Sequence, residues 1–225
     1  MKKTITAVVF DMDGVLFDTE RIYMECWREA AEPTGLKNVD EISKACIGRT
    51  LQGTKEVFEA AKAEQGIDIS FEELHEDCSR RFKEKEERDG RPEKPGVHEI
   101  LEYLKKQGIP VALASSTRKA AVMEHLDRAG ITSYFQKIIC GDMVEHGKPA
   151  PDIYLKACEE LGVLPEESVA VEDSPNGLLS GHAAGMTTVM IPDLISPKEV
   201  PAEAVSFVCR DMEALKSVLL KLNCK

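Results

Sequence analysis

Short, continuously apolar runs that each end in polar or charged residues recur along this chain, and they restrict its fold more than any other feature. They are "AVVF" (7–10), "IPVALA" (109–114), "KIIC" (137–140), "VAV" (169–171) and "TTVMI" (187–191). A strand with one wet face alternates apolar and polar residues, whereas unbroken apolarity marks a strand covered on both faces, as in a parallel sheet between helix layers. The segments between the runs carry helical periodicity. Val97, Ile100, Leu101 and Leu104 share one face ahead of Gly108, and Val122, His125, Leu126 and Ala129 precede Gly130. A glycine at such a stop suits the left-handed C′ position because it has no Cβ. The β-α-β-α order predicts an open α/β sheet with right-handed crossovers.

Residues 18–91 break the rhythm, with amphipathic helices and no strand-like run. Ile22, Tyr23, Cys26, Trp27, Ala30 and Ala31 fall on one helix face, and Ser70 with Glu73 forms a capping-box pattern ahead of Phe71, Leu74, Cys78 and Phe82. This segment reads as a helical insert, closed by the Pro- and Gly-containing "DGRPEKPG" (89–96), which suits a hinge.

Composition excludes several function classes. A net charge of −11 without a basic stripe disfavours nucleic-acid binding. The mixed charges of "RRFKEKEERDGRPEK" (80–94) read as a solvated helix face and linker. No apolar stretch approaches the roughly 20 residues of a membrane span, and "MKKTITAVVFD" meets an aspartate before a signal-peptide segment is complete, so a cytoplasmic location without membrane attachment is expected. Seven scattered cysteines with no CxxC pair read as buried free thiols.

The first apolar run leads into Asp11 and Asp13. Residues two apart in an extended strand point the same way, so both carboxylates project from the strand's carboxyl end, where open parallel sheets bind ligands. At about 4 Å two such charges repel by about 4 kcal/mol at an effective dielectric of about 20, which calls for a cation or a shared proton. An EF-hand loop would carry its glycine at the sixth position rather than the fourth, where Gly14 stands. A purely structural turn or cap remains the plain alternative for an isolated pair.

The later strand ends add chemistry to that pair. Ser115, Ser116 and Thr117 follow "VALA" at an expected helix start, where hydroxyls and free N–H groups make a phosphate cradle. Lys148 follows "KIIC" in a loop stiffened by Pro149 and Pro151. Glu172 and Asp173 follow "VAV", with Ser174 as expected N-cap and Pro175 as first helical residue. Each of these has an ordinary reading as a cap or a surface charge. Together they gather four carboxylates, a lysine and a hydroxyl pair on one sheet edge, an oxygen-rich set that suits Mg²⁺ and a phosphoryl group.

With "FDMDGVLFDTE", "ASST", "GKPAPDIY" and "VEDSPNG" in place, the whole chain resembles the haloacid dehalogenase superfamily, specifically its β-phosphoglucomutase-like phosphatases with a helical cap. The resemblance implies a Rossmann-like doubly wound parallel core over residues 1–17 and 92–225, with a small α-helical cap domain at 18–91. It implies Asp11 as nucleophile and Asp13 as general acid and base. The metal would be held by Asp11, Asp173 and the backbone carbonyl of Asp13, with Glu172 in the outer shell, and the phosphoryl group by Ser115, the Ser116 amide and Lys148. An acid at position 13 favours phosphate-ester chemistry over the dehalogenase and phosphonate-cleaving branches.

The implied activity is a Mg²⁺-dependent phosphatase acting on a small phosphorylated metabolite such as a sugar phosphate. A phosphomutase is the enzymatic alternative, and a non-catalytic phosphate-binding module is the alternative of a different class. The chain departs from the mutase pattern: Tyr23 aligns with its hinge histidine and Leu51 with its cap arginine, while Arg49 stands two residues earlier. Tyr23, Trp27, Arg49 and Thr50, with Lys55, are the candidate cap contacts to substrate, against the ordinary readings of cap core and solvated helix. The five histidines show no ligand spacing, and His146 reads as a loop residue. A monomer is the expected form, with a dimer as the alternative.

Overall fold

The computed structural model describes residues 5–47 and 51–223. These fall into two compact units: one runs to Phe17 and resumes at Glu93, and the other is Asp18–Pro92.

The first unit is built on a six-stranded parallel sheet in the order β3-β2-β1-β4-β5-β6. Its strands are β1 (Ala7–Phe10), β2 (Val111–Ser115), β3 (Lys137–Cys140), β4 (Ser168–Glu172), β5 (Thr187–Met190) and β6 (Phe207–Val208). Val8 lies opposite Val111 on one side and Val169 on the other, so β1 is central. The chain builds outward from β1 through β2 to β3, then returns to place β4 on the opposite flank of β1. That reversal leaves a crevice beyond the carboxyl ends of β1 and β4, where open α/β sheets take their ligands.

The continuous apolarity of the strands is explained by the two faces they bury. Val8, Phe10, Val111, Leu113, Val169 and Val171 belong to one core with α5 (Val97–Lys106), α6 (Lys119–Arg128) and α9 (Met212–Asn223). The intervening Val9, Ala112, Ala114 and Ala170 face α7 (Asp152–Leu161). Small residues on that second face let the helix layer approach closely. On α8 (Pro175–Ala183) a Cβ at Gly181 would stand 2.9 Å from the Ala170 Cβ. The edge strand β6 has only two residues, both exposed, so it does not share the two buried faces of the inner strands.

The second unit consists of α1 (Thr19–Ala31), α2 (Val39–Cys46), α3 (Leu51–Gln65) and α4 (Phe71–Asp89) around its own core of Cys26, Trp27, Phe58, Phe71, Leu74 and Cys78. The α4 start follows the expected cap, the Ser70 hydroxyl accepting the Glu73 N–H at 3.3 Å. Among the described residues, six cysteines are free and buried, and no helix is long and apolar enough to cross a membrane.

Candidate active site

The loop after β1 is a compact turn. Leu16 N–H and Phe17 N–H both donate to the Met12 carbonyl, at 2.8 and 3.1 Å, and Gly14 N–H donates to the Phe17 carbonyl at 2.8 Å. Met12, Val15 and Leu16 are driven into the core, which leaves Asp11 and Asp13 on the ligand side. Gly14 is required twice over. It adopts φ +78°, and a Cβ there would lie 2.1 Å from Asp173 Oδ2.

Asp11, Glu172 and Asp173 are all buried, and each offers an oxygen within 4.8 Å of the others. Lys148 enters from the loop after β3 and is itself buried. Its Nζ donates to Asp11 Oδ1 and to Glu172 Oε1, both at 2.6 Å, and to the Ala114 carbonyl at 3.0 Å. The Lys148–Pro149 peptide is cis. Burial pulls the Lys148 ammonium down, but the Asp11 and Glu172 carboxylates outweigh that and hold its pKa above the ordinary value. Burial dominates at Asp11, where the charges of Glu172 and Asp13 add to it and Lys148 opposes it, leaving the carboxyl pushed up to about 8.

Glu172 is fully enclosed by protein donors. Oε1 also accepts the Tyr154 hydroxyl at 2.6 Å, and Oε2 accepts the Ser174 hydroxyl at 3.2 Å. Ser174 caps α8 as expected, accepting the Gly177 N–H at 3.1 Å, with Pro175 as the first helical residue. Tyr154 was not singled out by the sequence reading. Its ring centroid lies 5.2 Å from Lys148 Nζ, so one buried aromatic supports both members of the ion pair. Burial, then the Glu172 charge, keeps its hydroxyl well above the ordinary tyrosine pKa, a proton donor to Glu172 throughout the physiological range.

On the β2 side, Ser115 is the last strand residue rather than the start of a helix, because pairing with Cys140 extends β2 by one position. The helix begins only at Lys119. Ser115 is buried and its hydroxyl accepts the Thr117 N–H at 3.1 Å, while Ser116 is exposed. Asp13 does not join the carboxylate cluster with its side chain; Oδ2 accepts the Thr117 hydroxyl at 3.1 Å.

The residues expected to meet substrate from the helical unit divide. Trp27 is fully buried among Cys26, Phe58 and Phe71, which corrects its reading as a substrate platform. An aromatic one helical turn from Tyr23 is more often core than platform, and Trp27 is the largest side chain in the core of this unit. Tyr23 is half-buried, edge-on to Trp27 and to Phe82 at ring separations of 6.4 and 5.8 Å. Lys55 pairs with Glu72 on α4. Arg49 and Thr50 lie outside the described residues, whereas Leu51 is exposed. His146 is an exposed loop residue whose Nδ1 lies 2.9 Å from Asp152 Oδ1.

This geometry can be set against known proteins. The model of the haloacid dehalogenase-like hydrolases matches residues 8–191, which takes in every strand end just described. The chain belongs to that family. Among its relatives, the phosphorylated carbohydrates phosphatase of Thermotoga maritima is 37% identical over 184 residues, covering 81% of this chain and 83% of the relative. Hexitol phosphatase A of Escherichia coli (strain K12) is 32% identical over 183 residues, covering 81% of each. A solved HAD family hydrolase from Deinococcus radiodurans R1, with bound phosphate and sodium, is 28% identical and superimposes with a TM-score of 0.81 over 98% of this chain and 97% of its own. The match to this hydrolase family therefore extends through both the sheet and the helical insert.

Proposed function

We propose that this enzyme is a Mg²⁺-dependent phosphatase that removes the phosphate of a small phosphorylated carbohydrate through a covalent aspartyl phosphate on Asp11. The observation that carries the reading is the Asp11–Lys148–Glu172 contact beside Asp173, at the crevice between β1 and β4. The names of the relatives, which act on phosphorylated carbohydrates and hexitol phosphates, support the substrate class.

The donor set fits a hard divalent cation. Three buried carboxylates face one buried ammonium, and in that balance Asp11 is held near a pKa of about 8. A nucleophilic carboxylate has to be ionised at neutral pH, and three ionised carboxylates against one ammonium leave this cluster two positive charges short, the charge of a divalent ion. Asp11 and Asp173, with the main-chain carbonyl of Asp13, would hold Mg²⁺, and the enclosure of Glu172 by Lys148, Tyr154 and Ser174 suits it to the outer shell. When bound, the ion keeps Asp11 ionised and offsets the charge of the phosphoryl group.

In the first step an Asp11 oxygen attacks phosphorus and the bond from phosphorus to the ester oxygen breaks. Asp13 gives its proton to that oxygen, so the carbohydrate leaves as an alcohol. In the second step Asp13, now a carboxylate, takes a proton from the water that attacks phosphorus. Inorganic phosphate departs and Asp11 is restored. Lys148, Ser115 and the Ser116 amide would bind the phosphoryl oxygens, worth most where water is excluded. Tyr23 and Leu51, standing where the mutase pattern has a histidine and an arginine, favour hydrolysis over phosphoryl return to a second hydroxyl.

The test is phosphate release from a panel of sugar and polyol phosphates with Mg²⁺, comparing the wild type with Asp11→Asn. Release by the wild type alone is expected. Equal release by both proteins would overturn the assignment, and release by neither across the panel would favour the non-catalytic alternative.

A further inference from the structure

The Thr117 hydroxyl has no task in the chemistry proposed above. It donates to Asp13 Oδ2 at 3.1 Å, across 104 residues of sequence. The hydroxyl is not spent on capping α6, because Arg118 occupies the N-cap position and no side chain caps that helix.

The backbone of Thr117 is clamped on both sides. Its N–H donates to Ser115 Oγ at 3.1 Å, and its carbonyl accepts the Gly141 N–H at 3.1 Å. Gly141 is pressed so closely against this turn that a Cβ there would lie 2.2 Å from the Ser116 carbonyl oxygen. Lys119 N–H, just beyond, donates to Asp142 Oδ1 at 3.1 Å, tying the same two loops together again. A short β-branched side chain on a backbone held in this way has little freedom, so its hydroxyl is a fixed point in the site. Asp13 sits past the strand end next to Gly14, and its carboxyl meets that fixed point through Oδ2.

We infer that Thr117 is a positioning residue for proton transfer: by holding Oδ2 it sets the rotation of the Asp13 carboxyl and leaves the proton on Oδ1. This rests on the proposed role of Asp13 as general acid. As the proton leaves Oδ1 for the ester oxygen, negative charge spreads to Oδ2, where the Thr117 hydroxyl is already aimed. An acid misplaced by about 1 Å loses on the order of 10²-fold in rate, so partial loss of this constraint is expected to cost about tenfold in the proton-dependent step.

Leaving-group dependence isolates that step. An alkyl alcohol needs its proton at departure, whereas p-nitrophenolate does not, and kcat/KM reports only steps through phosphoryl transfer. The experiment measures kcat/KM for p-nitrophenyl phosphate and for glucose 6-phosphate, ribose 5-phosphate and glycerol 3-phosphate in the wild type, Thr117→Val, Thr117→Ser and Asp13→Asn, all with Mg²⁺. Thr117→Val is expected to raise the aryl-to-alkyl ratio by about tenfold, in the same direction as Asp13→Asn, and Thr117→Ser to restore it by returning the hydroxyl. If Asp13→Asn raises the ratio but Thr117→Val leaves it at the wild-type value, or lowers aryl and alkyl rates equally, Thr117 does not position the acid. If Asp13→Asn itself leaves the ratio unchanged, the general-acid reading fails, and this inference with it.

Discussion

Replacing Gly177 by alanine should destabilise this protein, although helix propensity alone gives the opposite sign. Gly177 lies in the first turn of α8, outside the left-handed region, where alanine is ordinarily favoured by about 0.5–1 kcal/mol. A Cβ at this position would stand 2.0 Å from the Glu172 carboxyl carbon and from Oε1. Carboxylates usually swing aside at little cost, but this one is fully buried and holds Lys148 and Tyr154 at 2.6 Å and Ser174 at 3.2 Å. Hydrogen bonds to a charged group contribute about 1.5–3 kcal/mol each, so losing one or two and subtracting the propensity gain leaves a net cost of about 0.5–5.5 kcal/mol. For a chain of this size that lowers Tm by roughly 1–22 °C. Thermal melts of the wild type and Gly177→Ala in EDTA read the effect directly. Gly147→Ala is the control, since a Cβ there meets nothing within 4 Å and its φ is not in the left-handed region; its Tm should match or slightly exceed the wild type's. A Gly177→Ala protein melting at or above the wild-type temperature would refute the idea that Glu172 is locked in place.

Trp27→Ala should cost about 3–5 kcal/mol in urea denaturation, the usual range for emptying a fully buried Trp site, and a cost below about 1 kcal/mol would contradict its place in the core. Asp13→Asn should lower turnover of alkyl phosphates by at least about 10²-fold while leaving the circular dichroism spectrum unchanged, and near-normal steady-state rates would contradict the division of labour between the two aspartates. EDTA should abolish phosphate release and millimolar Mg²⁺ restore it, because uncompensated carboxylates repel the substrate; turnover persisting in chelator would remove the metal from the mechanism.

The sheet was legible because its inner strands are buried on both faces, which writes itself into the sequence as unbroken apolar runs; β6, two exposed residues within the short "FVC" (207–209), did not stand out among them. Ser115 illustrates the limit at boundaries. Whether it ends a strand or begins a helix depends on a pairing partner, Cys140, that lies far along the chain. Trp27 and Tyr23 share a helix face, and periodicity cannot tell a core-facing aromatic from a ligand-facing one. Tyr154 carries no mark in the sequence, and Thr117 reads there only as part of a phosphate cradle, because the significance of each lies in what it touches, Glu172 and Asp13 respectively.

By itself, the amino-acid order determined the parallel α/β core, the helical insert and the set of charged groups at the strand ends, since burial pattern and motif spacing are local properties. Only the tertiary structure decided how those groups divide: which carboxylates surround Lys148, which one is walled in by Tyr154 and Ser174, and which turns toward Thr117. Charges interact through space over a few ångströms, and those separations exist only once distant strands lie side by side.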